Sequence, residues 1–411
     1  MPGVHGRRTQ GARADSGLIV LLATLAVQSL VAMCLLTLPV VAPVVARSLG
    51  VSPVHVGLYV ALAYAAAMAS SLVSGGLVRR YGAIRASQAG LVLCACGLLV
   101  SLVPHVAVTA LGALLIGVGY GPITPASSHL LIRSTPAHRL SFVFSIKQTG
   151  VPLGGVLAGA LVPGLAEFGS WQMAFAMVAA CSLACALLIQ PLCRTLDADR
   201  DPAHPVSLIG NLAGPLRLVF GQRSLRALAA VSFLFSVTQL SLVTYLVTCL
   251  HEDMDIDLVT AGLLAALSQM AGVAGRILWG YASDRFLGPL RALGAIALLV
   301  ALCAVLMPVS PSGPLWLLGA LLLVFGFCAI GWNGVYLAEV ARQAPAGKAS
   351  IATGGTLSIT FLGNVLGPPA FGLVAGGLHS YVLAYAVLVV PAGASLWLLW
   401  RSRQAFQPAS T

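Results

Sequence analysis

This sequence has little charge. Only 8% of its 411 residues are Asp, Glu, Lys or Arg, and the 11 acids are half as numerous as the 22 bases. That excludes an ordinary soluble domain. Acids are absent from the interiors of the apolar segments: Asp284 and Glu339 stand at segment ends, and the rest lie outside. No Walker pattern, Rossmann turn or zinc spacing occurs. Most of the nine cysteines (Cys34, Cys94, Cys96, Cys181, Cys185, Cys303 and Cys328 among them) lie within apolar segments and read as small core residues. No cofactor and no metal is implied. His129, or His251 with its acidic neighbours, supplies no nucleophile, base and orienting group in recognisable spacing, which argues against an enzyme. The tails are too short for a receptor's signalling domain.

What is present is hydrophobic sequence: 59% of residues, with a mean hydropathy of +0.97. This is a membrane protein. Apolar segments recur at Gly17 to Ala46, Val54 to Val78, Ile84 to Val103, Val106 to Arg133, Leu140 to Gly164 and Ser170 to Cys193. After a connector, six more follow at Leu225 to Leu250, Leu258 to Ala282, Pro289 to Val309, Gly313 to Val340, Ser350 to Gly377 and Ser380 to Trp400. Each is long enough to cross the roughly 30 Å hydrocarbon layer. The predicted domains are a tail (1–16), a six-helix bundle (17–193), a linker (194–224), a second six-helix bundle (225–400) and a second tail (401–411).

All but three of the 22 lysines and arginines fall in the loops and ends on one side. Arg47 lies on the other side, while Lys147 and Arg276 lie within helices. This asymmetry puts both termini in the cytoplasm of a plasma (inner) membrane protein. The net charge of +11 is scattered between spans rather than clustered with aromatics, so nucleic acid is not the partner. Glu252, Asp253, Asp255 and Asp257 read as a solvated external loop between helices 7 and 8.

The chain is duplicated. Gly57, Leu58 and Gly75 match Gly262, Leu263 and Gly280 at an offset of 205, and Arg133, Pro136 and Arg139 match Arg342, Pro345 and Lys348 at 209. Ser145, Gly150, Gly154 and Gly159 match Ser358, Gly363, Gly367 and Gly372 at 213. Two halves of the same orientation imply parallel repeats about an axis along the membrane normal.

Two phrases stand out, GRILWGYASDR at Gly275 to Arg285 and its degenerate twin GGLVRRYGAIR at Gly75 to Arg85. Gly280-Tyr-Ala-Ser-Asp284-Arg285 resembles the loop signature of the major facilitator superfamily between helices 8 and 9. Gly75 to Arg85 resembles its twin between helices 2 and 3, with Arg79 replacing the acid. Gly363-x-x-x-Gly367-Pro368 and Gly150-x-Pro152-x-Gly154 are similar to the family's glycine-proline bending motif. The resemblance covers essentially the whole chain and implies an all-α, twelve-helix fold of two six-helix bundles. The arginine that the family carries in helix 4 is missing near Gly117 to Gly121, so its proton-handling role does not carry over.

The resemblance also implies gating positions: Gly75, Arg79, Arg139, Gly150, Pro152, Gly280, Asp284, Arg285, Gly367 and Pro368. It places helix 5 beside helix 8. Asp284, at a helix C-terminus that disfavours a carboxylate, then has a natural partner in the first turn of helix 5 with Arg139. Arg285 then faces headgroups or water. Arg79 would repel the N-terminus of helix 11, and Glu339 is its available acidic partner.

Arg276 lies eight residues before Asp284, roughly 12 Å along a helix axis, and Lys147 lies eight after Arg139, so the two cations reach similar depth. A buried charge costs at least about 2.5 to 3.5 kcal/mol on insertion scales and usually marks a pathway. With no buried acid to meet them, the counter-charge is the substrate, which argues for a small organic anion and most simply a carboxylate. A helix-8 arginine also resembles the binding position of monocarboxylate and oxalate/formate carriers. The alternative is that both side chains snorkel to the headgroups. Gln148, Tyr120, Asn333 and Asn364 are further candidate contacts. For these, as for Tyr336, Gln28, Gln239 and Gln269, interhelical hydrogen bonding is an equal reading.

The sequence therefore predicts a monomeric secondary transporter in the lipid bilayer that moves a small-molecule anion by alternating access. Proton symport, uniport and exchange stay open. The rival is an efflux carrier for drugs or other amphipathic metabolites, against which the missing buried acids count where the drug is cationic.

Overall fold

In hydrocarbon every backbone N–H and C=O must be satisfied internally, so long apolar segments resolve as helices. The computed structural model describes residues 5–136, 140–206, 213–345 and 348–402. Twelve spans are long and apolar enough to cross a membrane, and no strand occurs among the described residues. Helices 1 to 12 cover Gly17–Leu49, Pro53–Tyr81, Ala83–Val100, Val106–Ser134, Val143–Phe168, Trp171–Leu196, Arg223–Asp253, Leu258–Leu287, Pro289–Ser312, Leu315–Gln343, Ile351–Leu378 and Tyr381–Arg401. Helices 7 and 8 outlast their apolar runs in π-helical turns, Cys249–Asp253 and Ser283–Leu287. Gly82 and Gly288, just before helices 3 and 9, both take positive φ (100° and 73°), a trace of the duplication in the backbone.

Helices 4 and 10 are broken at corresponding places. Helix 4 runs Val106–Tyr120 and resumes at Ile123–Ser134, whereas helix 10 runs Leu315–Ala329 and resumes at Asn333–Gln343. Interrupted helices in matching positions of two repeats point to a binding site.

On the arginine-poor side the two halves are closed against each other. Helix 5 meets helix 8 so closely that a Cβ on Gly159 would lie 2.6 Å from the Gly262 carbonyl oxygen. Helix 2 meets helices 7 and 11 in the same way: a Cβ on Gly57 would fall 2.6 Å from the Pro368 oxygen and would strike the Tyr245 hydroxyl. That hydroxyl accepts from the Gly57 N–H (3.1 Å) and donates to the Val54 carbonyl (2.7 Å). Arg47 Nη2 lies 3.4 Å from His251 Nε2, across the same seam.

The acidic loop between helices 7 and 8 is more than a solvated surface. Asp253 accepts from Ser380 Oγ (2.8 Å) and the Val382 amide (2.9 Å) at the start of helix 12. Asp257 caps helix 8 through the Thr260 amide, whose hydrogen bond holds this carboxyl below the ordinary carboxylate range.

At the arginine-rich end the connector is anchored to the first half. Asp197 accepts from the Ile84 and Arg85 amides (2.8 and 3.0 Å) and so caps helix 3. Asp199 bridges His129 (2.7 Å) and Arg133 (2.5 Å). Partial burial alone would raise the Asp199 carboxyl, but the hydrogen bonds from His129 and Arg133 outweigh it and leave its pKa lowered. The connector's short helix, Ala213–Gly221, lies against helix 11, with the Pro215 oxygen facing Gly355.

Tyr245→Phe removes both hydrogen bonds across the arginine-poor seam, each worth about 0.5 to 1.5 kcal/mol. The expected outcome is a shift toward a state open on the arginine-poor side. A cysteine placed at the buried Gln269, which packs against Gly155 inside the closed seam, should then react several-fold faster with a water-soluble thiol reagent. Unchanged labelling would show that these bonds do not hold the seam.

Candidate substrate cavity

Closure on one side leaves a cavity of about 460 Å³ between the halves, reaching from mid-membrane toward the arginine-rich end. A larger hollow, about 820 Å³, lies between helices 9 and 12, away from the interface of the halves, with walls of Leu, Gly and Trp and one arginine, Arg291. The central cavity is the candidate site because it meets both repeats and both broken helices.

Its charged side chain is Arg276 of helix 8. Two carbonyls fix the guanidinium: Nη1 donates to the Gln148 oxygen (2.5 Å) and Nε to the Ile330 oxygen (3.3 Å). Both acceptors follow from local sequence. Gln148 stands four residues before Pro152, which has no N–H to return to it, so its carbonyl is left over by helix 5. Ile330 lies in the break of helix 10. Arginine has five N–H donors in a fixed fork, and these two bonds leave the others for a ligand.

Around Arg276 the walls are aromatic and amide-bearing. Tyr64 of helix 2 meets Tyr120 edge-on (centroids 6.0 Å apart) and Phe361 of helix 11 at 6.2 Å. Trp332, 1% exposed, donates its indole N–H to Gln239 Oε1 (2.9 Å), which also receives a longer bond from Asn333 Nδ2 (3.4 Å). Asn364 lines the cavity with a buried Oδ1 that has no hydrogen-bond partner. No lining residue is acidic.

Tyr120, Gln148, Arg276, Asn333 and Asn364 therefore share one cavity. Lys147 does not reach it. This side chain is 1% exposed, enclosed among helices 1, 4 and 5 just behind the wall, and its ammonium nitrogen meets one acceptor, Thr124 Oγ1, at 3.4 Å. The burial also answers the snorkelling alternative for Lys147, because a 1% exposed side chain has not reached the headgroups.

The gating positions fall in two groups. Gly150 packs on Gln28 and Leu25 of helix 1, Pro152 is buried in helix 5, Gly367 lies against Val237 of helix 7, and Pro368 faces Gly57. At the arginine-rich end Asp284 and Arg285 are exposed, and Asp284 has no partner among the described residues. Arg139 lies outside the described residues. Gly75 and Gly280 have open space where a Cβ would go. Glu339 does not meet Arg79, because it pairs with Arg342 one turn on (3.0 Å) and accepts from Gln343 (2.8 Å). Arg79 is exposed, and its carbonyl receives the Asp201 amide of the connector (2.8 Å). A local partner on the same helix outcompetes one across the bundle.

The sequence reading did not reach Tyr64, Trp332, Phe361 and Thr124. Gly121-Pro122 and Gly331, where the two helices break, are the signal that marks their neighbourhood.

The profile of the Major Facilitator Superfamily matches residues 20–368. The chain belongs to that superfamily, and is a membrane transporter rather than an enzyme. It is 26% identical over 289 residues to the probable sulfoacetate transporter SauU of Cupriavidus necator, a match covering 66% of each protein. It is 21% identical over 174 residues to the hexuronate transporter of Bacillus subtilis, covering 42% of this chain and 41% of the relative. These matches span between about two fifths and two thirds of the curated relatives' length. Among solved structures it resembles a bacterial homologue of the human lysosomal transporter Spinster in an inward-facing, occupied conformation (TM-score 0.72, 16% identity, covering 94% and 95% of the two chains). It also resembles a D-xylose-proton symporter (TM-score 0.72, 17% identity, 95% and 97% covered). At these identities the likeness concerns the fold.

Gln239→Leu strands the Trp332 indole N–H in a buried wall, a loss of about 1 to 3 kcal/mol. The thermal unfolding midpoint in detergent should fall by several degrees, and adding Trp332→Phe should recover much of the loss. A single mutant as stable as the parent would show that this bond does not support the wall.

Proposed function

We propose that the protein is a secondary transporter of a small organic anion. It works by alternating access, as a monomer in a plasma membrane, with the arginine-rich side cytoplasmic and the described conformation inward-facing. The observation that carries this reading is Arg276: a guanidinium fixed at the wall of a cavity without any acidic lining residue. Such a cation recruits its counter-charge from the substrate, and its fork suits a carboxylate or a sulfonate. The substrates for which two relatives are named, sulfoacetate and hexuronate, are both organic anions, which supports the same class.

The amides of Gln148, Asn333 and Asn364 and the Tyr120 hydroxyl supply neutral hydrogen bonds to the rest of such a molecule. Asp284, exposed here, docks on the first turn of helix 5 when the cytoplasmic ends close, and so latches the outward-facing state. A second reading, efflux of amphipathic compounds, rests on the aromatic wall of Tyr64, Trp332 and Phe361.

The test is ligand-induced thermal stabilisation together with counterflow in proteoliposomes, using sulfoacetate, a hexuronate and the lipophilic cation tetraphenylphosphonium. Stabilisation by an anion, with Arg276→Gln weakening it by about 30-fold or more, is the expected outcome; that factor follows from about 2 kcal/mol or more for a desolvated charge partner. Stabilisation by the cation alone would move the assignment to efflux.

A further inference from the structure

Behind the cavity wall lies a polar cluster that anion binding by Arg276 does not use. Lys147 projects from helix 5 into the space between helices 1 and 4, where Thr124 Oγ1 is its hydrogen-bond acceptor at 3.4 Å. Thr124 in turn donates to Gln28 Oε1 (3.3 Å), and the Gln28 amide nitrogen is buried with no partner. An ammonium has three N–H donors and no acceptor capacity. Here one long bond to a hydroxyl is offered to it, and that hydroxyl's own proton is already committed to Gln28.

The charged and titratable groups around it are few. Helix 8 contributes Arg276, which is bonded to the carbonyl of Gln148, the residue next to Lys147. Helix 4 contributes Tyr120, and helix 2 contributes Tyr64 against Tyr120. Helix 1 contributes the uncharged Gln28. None of these is a carboxylate, and among the described residues the ion pairs all lie elsewhere, at His129, Arg133 and Asp199 and at Glu339 with Arg342. The described residues thus set two basic groups near each other without a counter-ion. Burying one uncompensated charge is costly, and two like charges cost more. Arginine cannot shed its proton inside a protein, but lysine can, and a buried lysine does so readily. The relief falls to Lys147.

We infer that Lys147 is the group that carries a proton with the anion, which makes the transporter a proton–anion symporter without a carboxylate relay. This rests on the organic-anion reading above. In the empty inward-facing site Lys147 is a neutral amine. When a substrate anion arrives beside Arg276, the amine lone pair takes a proton from a hydronium ion of the solution on that side, forming the third N–H bond of an ammonium and leaving a neutral water. When the anion leaves, that bond breaks and the proton returns to water on the side of release. The anion and the proton therefore enter and leave together. A dianion such as sulfoacetate matches the two cations, and Thr124, which both lines the cavity and bonds Lys147, connects the two compartments.

The experiment measures protons taken up as sulfoacetate binds to the purified full-length protein in weakly buffered, mildly alkaline solution, where an uncompensated buried amine is neutral. Sulfoacetate has no group that titrates there, because its carboxyl belongs to the ordinary acid range. Wild type should take up close to one proton per bound anion. Its affinity should weaken toward about tenfold per pH unit as the solution is made alkaline, as linkage to one proton requires. Lys147→Arg keeps the charge but cannot release it, so proton uptake per bound anion should vanish and the pH dependence should flatten.

Anion binding by wild type with no proton uptake would overturn the proposal, as would undiminished uptake per bound anion in Lys147→Arg. If that variant does not fold, the wild-type stoichiometry and pH slope decide by themselves. Failure of wild type to bind sulfoacetate or a hexuronate at any pH would instead overturn the organic-anion reading, and the proton assignment with it.

Discussion

The constraint on which the rest of this structure depends is a deficit: two basic groups within the membrane, Arg276 and Lys147, and no acid beside them among the described residues. Arg276 is held by carbonyls, and Lys147 by a hydroxyl. Carbonyl dipoles orient a guanidinium but do not cancel its charge. In a low-dielectric interior that uncancelled charge is a standing attraction for an anion.

The backbone makes that deficit possible. Pro152 deprives the Gln148 carbonyl of its helical partner, and the break in helix 10 leaves Ile330 available, so the two acceptors of Arg276 come from places where the helices cannot satisfy themselves. The same logic runs along the interface of the halves. Glycines at Gly57, Gly159 and Gly262 let backbones approach within van der Waals contact on the arginine-poor side, where Tyr245 ties helix 7 to the start of helix 2. The opposite ends stay apart, and the exposed Asp284 is in keeping with a latch that is open. Meanwhile Asp197 and Asp199 bind the connector to the first half, and its short helix leans on the second, so the linker is attached to both.

Much of this was legible in the sequence, because hydrophobic length acts span by span. The twelve spans, the duplication and the depth of Arg276 all follow from spacing along single helices. What could not be read is whatever depends on how a helix is rotated or on which partner is nearest. Lys147 has the right depth but turns behind the wall. Glu339 prefers Arg342 one turn away to Arg79 across the bundle. The loop acids Asp253 and Asp257 cap helices rather than face water alone. Trp332 and Tyr64 look like ordinary aromatic core residues until the breaks in helices 4 and 10 bring the cavity to them.

The central claim, that the cavity binds an anion because it lacks a negative charge of its own, is tested most directly by supplying one. Asn333→Asp places a carboxylate of nearly identical shape on the cavity wall, on the helix whose break holds Arg276. Measured by calorimetry at fixed salt, sulfoacetate affinity should fall by about tenfold or more, equivalent to roughly 1.4 kcal/mol, while the empty protein becomes no less stable. An affinity equal to that of the parent would contradict the account.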